Sequence, residues 1–358
     1  MLSRTLFRRI PKTFAQIKEV HAAHKPGFVK GSLSGERWRH KSMEKTLQHI
    51  TDSEKHKELQ KQAQFNLSQW AKEKVTTPKA VEVVHKDWGV ATLEATKKHG
   101  ITYSVLNMAN SVYPGGASLE GGSAQEENIW HRSTCARSLM EKMVFLDRET
   151  MTFRYSNTAR KLLEARLKMT AEEREALKKH REETDYTGYK VLFDRDPRVC
   201  FRGPEVAMVT SGFEDFRADR SVADSALSYA FLRPSEIFPF YELRSAAPEL
   251  SSEPRALTTQ AKAQYTADLR RRIAAQLDTL IIAGKSHVIL GAWGCGAFKN
   301  DPLLVAQIYG EEIEKRAHFF DHIVFPIINT GARDNHDIFN KCLSGMKLGD
   351  TNSTAPAP

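Results

Sequence analysis

Glu126 and Glu127 stand side by side at the end of Glu120-Gly-Gly-Ser-Ala-Gln-Glu-Glu127. Two acids opening a helical run have an ordinary use, since negative charge there complements the helix dipole. The glycines before them add a second reading. A backbone able to wrap a ligand, followed at once by two carboxyls, suits general acid/base work on a bound sugar. Just upstream runs Leu106-Asn-Met-Ala-Asn-Ser-Val-Tyr-Pro-Gly-Gly-Ala117. Asn107 and Asn110 carry amides that both donate and accept, as sugar hydroxyls require. Gly115 and Gly116 allow close approach of the backbone to a ligand, although a strand closing in a Pro-Gly turn would use the same residues.

A third segment, Val288-Ile-Leu-Gly-Ala-Trp-Gly-Cys-Gly-Ala-Phe-Lys-Asn-Asp-Pro302, reads as strand, glycine-rich turn and helix. Successive backbone N–H groups in such a loop cradle phosphate oxygens. Asn300 or Asp301 can cap the helix and Pro302 fits its first position. Gly291, Gly294 and Gly296 give G-x-x-G-x-G, not the dinucleotide G-x-G-x-x-G, and the strand comes late in the chain. A standard dinucleotide site is not expected.

These loops need strands behind them. Residues 101–109, 205–211, 288–291 and 322–328 read as strands. Helical periodicity covers 41–74, 123–143, 258–284, the run from Pro302 and 335–343. Residues 157–184 read as a solvated surface helix and 242–256 as a surface loop. Strands alternating with helices predict an α/β sheet covered on both faces. The loops would then sit at the carboxyl ends of strands, where open α/β sheets bind ligands.

Pro114-Gly-Gly-Ala117 followed by Gln125-Glu-Glu127 resembles the GGG…QEE signature of poly(ADP-ribose) glycohydrolases. Gly291–Pro302 resembles the phosphate loop of the microbial-type members, and the likeness runs through Thr210-Ser211 and 323–339, over roughly residues 75–345. The resemblance implies a macrodomain-like mixed central sheet flanked by helices, with a helical extension before it and ADP-ribose in a cleft. It implies an enzyme that cleaves the O-glycosidic bond at ribose C1″ of poly(ADP-ribose) or of ADP-ribosylated protein. Glu127 matches the catalytic acid/base and Glu126 its supporting neighbour. Asn107 and Asn110 fall near the distal ribose, and Gly115, Gly116, Ala117 and Gln125 fall in the catalytic segment. Gly291, Trp293, Gly294, Cys295, Gly296, Ala297 and Phe298 fall in the diphosphate loop, with Phe298 packing on a ribose. Ala117 departs from the third glycine, which matters if that position needs a positive φ. Alternatives are a hydrolase of single ADP-ribose units on one target, or a module that binds ADP-ribose without cleaving it. The two retained carboxyls speak against pure binding.

Composition narrows the rest. The 358 residues are 41% hydrophobic and 27% charged, as in globular proteins, and lack the ~20 consecutive apolar residues of a membrane span. Four widely spaced cysteines suit a reducing compartment rather than a disulfide framework. The histidines lack zinc-motif spacing, so neither metal nor cofactor is expected. Gly284-Lys-Ser286 imitates the end of a P-loop, but Thr279 replaces the earlier glycine and the helix–strand order is reversed. Residues 1–45 hold eleven Lys and Arg against three acids, a net +8 of the chain's +9. The domain expectation is a basic arm at 1–40, disordered or targeting, and a helical extension at 41–75. The glycohydrolase domain follows at 76–345, then a disordered tail at 346–358. A monomer in cytoplasm or nucleus is expected, with mitochondrial import by the Arg-rich start as the alternative. The arm is also a candidate to contact polyanions.

Overall fold

The structure, a computed structural model, describes residues 13–182, 186–206, 223–250, 254, 257–329 and 334–349. Seven strands among them join one sheet. Its core is five parallel strands in the order β1 (Ala80–Val84), β11 (His322–Pro326), β10 (His287–Ile289), β2 (Ser104–Met108) and β9 (Phe238–Ser245). Two short strands, β7 (Leu192–Phe193) and β8 (Arg198–Cys200), pair antiparallel with β9 and make the sheet mixed. Two small antiparallel pairs lie apart: β3 (Val144–Asp147) with β4 (Thr152–Tyr155), and β5 (Leu167–Lys168) with β6 (Tyr189–Lys190).

Successive strand residues point to opposite faces, and both faces here are apolar, so both must be covered. Val105, Ile289 and Val324 join one buried cluster with Ile129, Trp130 and Phe240. Leu106, Val288 and Ile323 join the other, under the helices α9 (Thr259–Ile282), α10 (Pro302–Glu314) and α11 (Asn335–Leu343). The first face carries α3 (Glu36–Thr51), α4 (Ser53–Trp70), α5 (Trp88–His99) and α6 (Gln125–Arg132). The central strands β2 and β10 are parallel neighbours, with Val288 opposite Ser104 and Ile289 opposite Val105. The loops after them, 109–124 and 290–301, therefore leave the same sheet edge side by side.

Several expectations need correction. The arm drawn at 1–40 is mostly helical where it is described. It forms α1 (Phe14–Ala23) and α2 (Phe28–Leu33) and enters α3 before residue 41. Ile17 and Val20 are fully buried with Met43, Leu47 and Ile50, and each such side chain contributes roughly 1.5–3 kcal/mol. Thr13 and Gln16 form a capping box at the start of α1, a signature readable from sequence. Residues 157–184 are not one surface helix. α7 (Asn157–Leu163) breaks at Ala165, whose φ is +52°, before β5 and α8 (Ala171–Lys178), and Leu163 and Leu177 are buried. Residues 242–245, expected in a loop, end β9, where Glu242 and Arg244 are fully buried with Arg244 Nε 3.8 Å from the Glu242 carboxylate. The tail begins packed: Met346 and Leu348 bond to Val81 and Lys79 beside β1, and Leu348 is buried. Most of the strand expected at 205–211, with Thr210-Ser211, lies outside the described residues, as do residues 1–12 and 350–358. Among the described residues no helix is long and apolar enough to cross a membrane.

Candidate active site

The chain leaves β2 at Met108 and turns at once. Asn110 Oδ1 accepts the N–H groups of Val112 and Tyr113 at 2.8 and 2.9 Å, closing an Asx turn. Gly115 and Gly116 follow with φ of +80° and +55°, a region that glycine enters at little cost. Space demands glycine too. A Cβ on Gly115 would lie 2.3 Å from the Trp130 ring, and one on Gly116 would lie 2.3 Å from Glu127 Oε1. Ala117 does not take a left-handed backbone, so the methyl in place of the third glycine brings no strain.

The loop is fastened to α6 through consecutive side chains. Gln125 bridges to β2, donating to the Leu106 carbonyl at 2.7 Å and accepting from the Met108 N–H at 2.9 Å. Glu126 is buried and accepts two loop N–H groups, Asn110 at 2.6 Å and Gly115 at 3.0 Å. Glu127 accepts the Ala117 N–H at 2.9 Å on Oε1, while its buried Oε2 has no hydrogen-bond partner. The far end of α6 is held by Arg132, which grips Asp87 at 2.8 Å and lies over the Trp88 ring.

Both carboxyls have pKa values raised above the ordinary range. Burial is the main cause for Glu126, and the charge of Glu127 adds to it, against its two N–H donors. Burial also leads for Glu127, with the Ala117 N–H opposing it and the Glu120 charge adding to it. A buried carboxyl with one free oxygen and a raised pKa has what a proton donor needs.

After β10 the second loop turns through Gly294 (φ +74°), where Asn300 clamps it by donating to the carbonyls of Pro248 and Gly294 at 2.9 and 3.0 Å. The N–H groups of Gly296, Ala297 and Phe298 carry no partner among the described residues, so three backbone donors remain free. Asp301 caps α10 by accepting from Leu303 and Leu304.

A cleft of 390 Å³ joins the two loops. Asn110, Gly116, Ala117, Glu126, Glu127, Ala297 and Phe298 line it. Other expected residues do not present side chains to it. Asn107 is fully buried and donates to Glu242 at 2.7 Å, because its strand position points it into a charged core. There Arg198 and Arg244 meet Glu141, Asp194 and Glu242. Trp293 is fully buried and its indole N–H donates to the Ser245 carbonyl at 3.0 Å. Cys295 is buried, Gly291 abuts Met108, and Gln125 acts as the bridge already described. These residues hold the loops in place from within.

The wall residues not anticipated include Val20 of α1, His24 just past its end, and Thr152 and Phe153 of β4. His24 donates from Nε2 to the Met151 carbonyl at 2.8 Å, and its Nδ1 lies 3.2 Å from Glu120, so one ring ties the end of α1 to the hairpin and to the loop after β2. The spacing of Ile17, Val20, His21 and His24 at helical intervals after the capping box was the available signal. Among the described residues no group of His, Cys, Asp or Glu could hold a metal ion.

Residues 34–162 match the family model for the catalytic domain of microbial-type PARG. No curated protein matches the chain. Among solved structures, the chain is similar to poly(ADP-ribose) glycohydrolase of Thermomonospora curvata, at 18% identity and a TM-score of 0.48 over 85% of this chain and 99% of that one. It is likewise similar to the Deinococcus radiodurans glycohydrolase in complex with ADP-ribose, at 20% identity and a TM-score of 0.45 over 78% and 90%.

Proposed function

We propose, from the match of residues 34–162 to the model for the microbial-type PARG catalytic domain, that the chain hydrolyses the O-glycosidic bond at ribose C1″ of poly(ADP-ribose) and releases ADP-ribose, with Glu127 as general acid and then base. One observation carries the role of Glu127. Its Oε1 is fixed by the Ala117 N–H while Oε2, without a partner, belongs to a carboxyl that lines the cleft.

The sequence of proton moves is short. The neutral Glu127 carboxyl gives its proton to the leaving oxygen as the C1″–O bond breaks and positive charge develops on the ribose ring. Water then adds to C1″, and the Glu127 carboxylate takes the proton that water sheds, which restores the acid. Glu126 is a positioning residue: through Asn110 and Gly115 it sets the loop that carries the Glu127 contact. The free N–H groups of Gly296, Ala297 and Phe298 would hold the diphosphate, and Phe298 would pack on the sugar. Backbone dipoles would do this alone, since no lysine or arginine lines the cleft among the described residues.

The test is Glu127→Gln. Glutamine can still accept from Ala117, so folding and ADP-ribose binding persist while kcat falls about 10²–10⁴-fold. Wild-type release of ADP-ribose by this variant would overturn the assignment. A pH series on the native enzyme gives a second reading. Only protonated Glu127 can act as the acid, so kcat must fall as pH rises through its raised pKa; a rate that climbs through that range would contradict the role.

A further inference from the structure

Helix α1 has a cavity on each side. Val20 and His24 face the cleft with the carboxyls, whereas Lys18, His21 and Lys25 face a larger cavity of 680 Å³. The opposite wall of this second cavity is α3, through Arg37, Trp38, His40 and Lys41. Four cations line it against one acid, Glu44. Lys18, Lys25 and Lys41 are exposed, and none of the four cations forms an ion pair among the described residues. Trp38, half buried, adds an aromatic surface of the kind on which bases stack.

The floor of this cavity touches the catalytic loop. The His21 and His40 rings stack at 3.9 Å and lie within 6° of parallel. His21 donates from Nε2 to the His40 carbonyl at 3.0 Å, and His40 donates from Nδ1 to the Leu119 carbonyl at 2.7 Å. Leu119 itself lines the cleft. Among the described residues, no Lys or Arg side chain lines the cleft, and on the other side of α1 a polyanion meets four. Lys18, His21, Ala22, Lys25 and Pro26 precede residue 34, so five of the twelve residues lining this second cavity lie outside the family match.

We propose that this cavity is a second nucleotide site, which takes the diphosphate and adenine of the ADP-ribose unit adjacent to the one being cleaved. It rests on the glycohydrolase reading above. Lys18, Lys25, Arg37 and Lys41 balance the two phosphate charges, and Trp38 stacks on the purine. The site favours substrates of two or more units over single ones, through KM rather than kcat.

The experiment uses the full chain carrying Lys18→Ala, Lys25→Ala and Lys41→Ala together, with folding checked by thermal melting. Binding of free ADP-ribose and of a defined two-unit oligomer is measured in the Glu127→Gln background across a salt series, and hydrolysis with Glu127 intact. The expected result is about a tenfold loss of oligomer affinity, a shallower salt dependence, and free ADP-ribose binding unchanged within about twofold. KM for the oligomer should rise with kcat unchanged. Equal losses for monomer and oligomer, or none for either, would overturn the site. So would single-stranded DNA competing as well as the oligomer, which would mark a non-specific basic surface. A native enzyme that releases no ADP-ribose would defeat the glycohydrolase reading instead, while the binding arms still report on the second site.

Discussion

Gly116 ties backbone geometry to the acid. Its φ of +55° lets the loop fold over Glu127, and its missing Cβ leaves room for Oε1. Gly116→Ala should therefore push the carboxyl aside and tax the left-handed turn. Misplacing a reacting group by about 1 Å costs on the order of 100-fold in kcat. Steady-state kinetics beside thermal melting check this: unchanged kcat would show that the carboxyl does not need this position. At this scale the sequence was legible where a residue type had one use. The two glycines and the adjacent acids stood out because few other residues could do their work. Asn107, Trp293 and Cys295 were read as ligand contacts, but strand alternation and loop turns send their side chains inward. Loop spacing marks a segment as functional without saying which of its side chains face out.

The elements that carry the loops are locked from beneath by a buried charge network. Arg244, fully buried, lies within 2.9 Å of Asp194 and Glu141, and Arg198 reaches the same two acids and Glu242. Burial pushes the Asp194 and Glu141 pKa values up, but the charges of Arg244 and Arg198 outweigh it and hold both below the ordinary range. A lowered carboxyl pKa gives stability that is present above the unfolded value and lost as pH falls through the folded one. The protein should thus weaken in acid, below about pH 4. Arg244→Met strands Asp194 and should cost about 3–5 kcal/mol at neutral pH, with a smaller cost once the acids are protonated. Urea unfolding at pH 7 and near pH 4 measures both; equal costs at the two would refute the network. None of this network was foreseen. Its members come from residues 141, 194, 198, 242 and 244, and no local pattern brings them together. The helices at 259–282, 302–314 and 335–343 were legible because their caps and periodicity are local.

At the scale of the molecule, the basic arm is part of the body from residue 13 onward. Of the +8 counted over residues 1–45, the described residues 13–45 carry +4, seven Lys and Arg against three acids, and much of it lies on the segments that wall the cleft and the second cavity. Charge counting located the excess correctly, yet periodicity over short helices was too weak to show that they pack. Removing residues 1–24 should bare the apolar side of α3 and open the cleft beside Glu120. The expected outcome is a melting temperature lower by several degrees and KM for ADP-ribose chains raised about tenfold or more. A truncated chain with native KM would show that α1 is ornamental to the cleft.

The strand order has a consequence for how the protein comes into being. A ribosome makes β2, the glycine loop and both carboxyls long before it makes β10, the strand that must slot between β2 and β11. Until then one edge of β2 is bare and the glycine-rich loop 290–301 does not exist. Pairings this distant in sequence are slow to form, and an uncovered strand edge invites other chains. The nascent protein thus carries its acid through most of its synthesis without a pocket to use it in. Activity should switch on only after release from the ribosome, and yield in a foreign host should improve when growth is cooled and translation slowed.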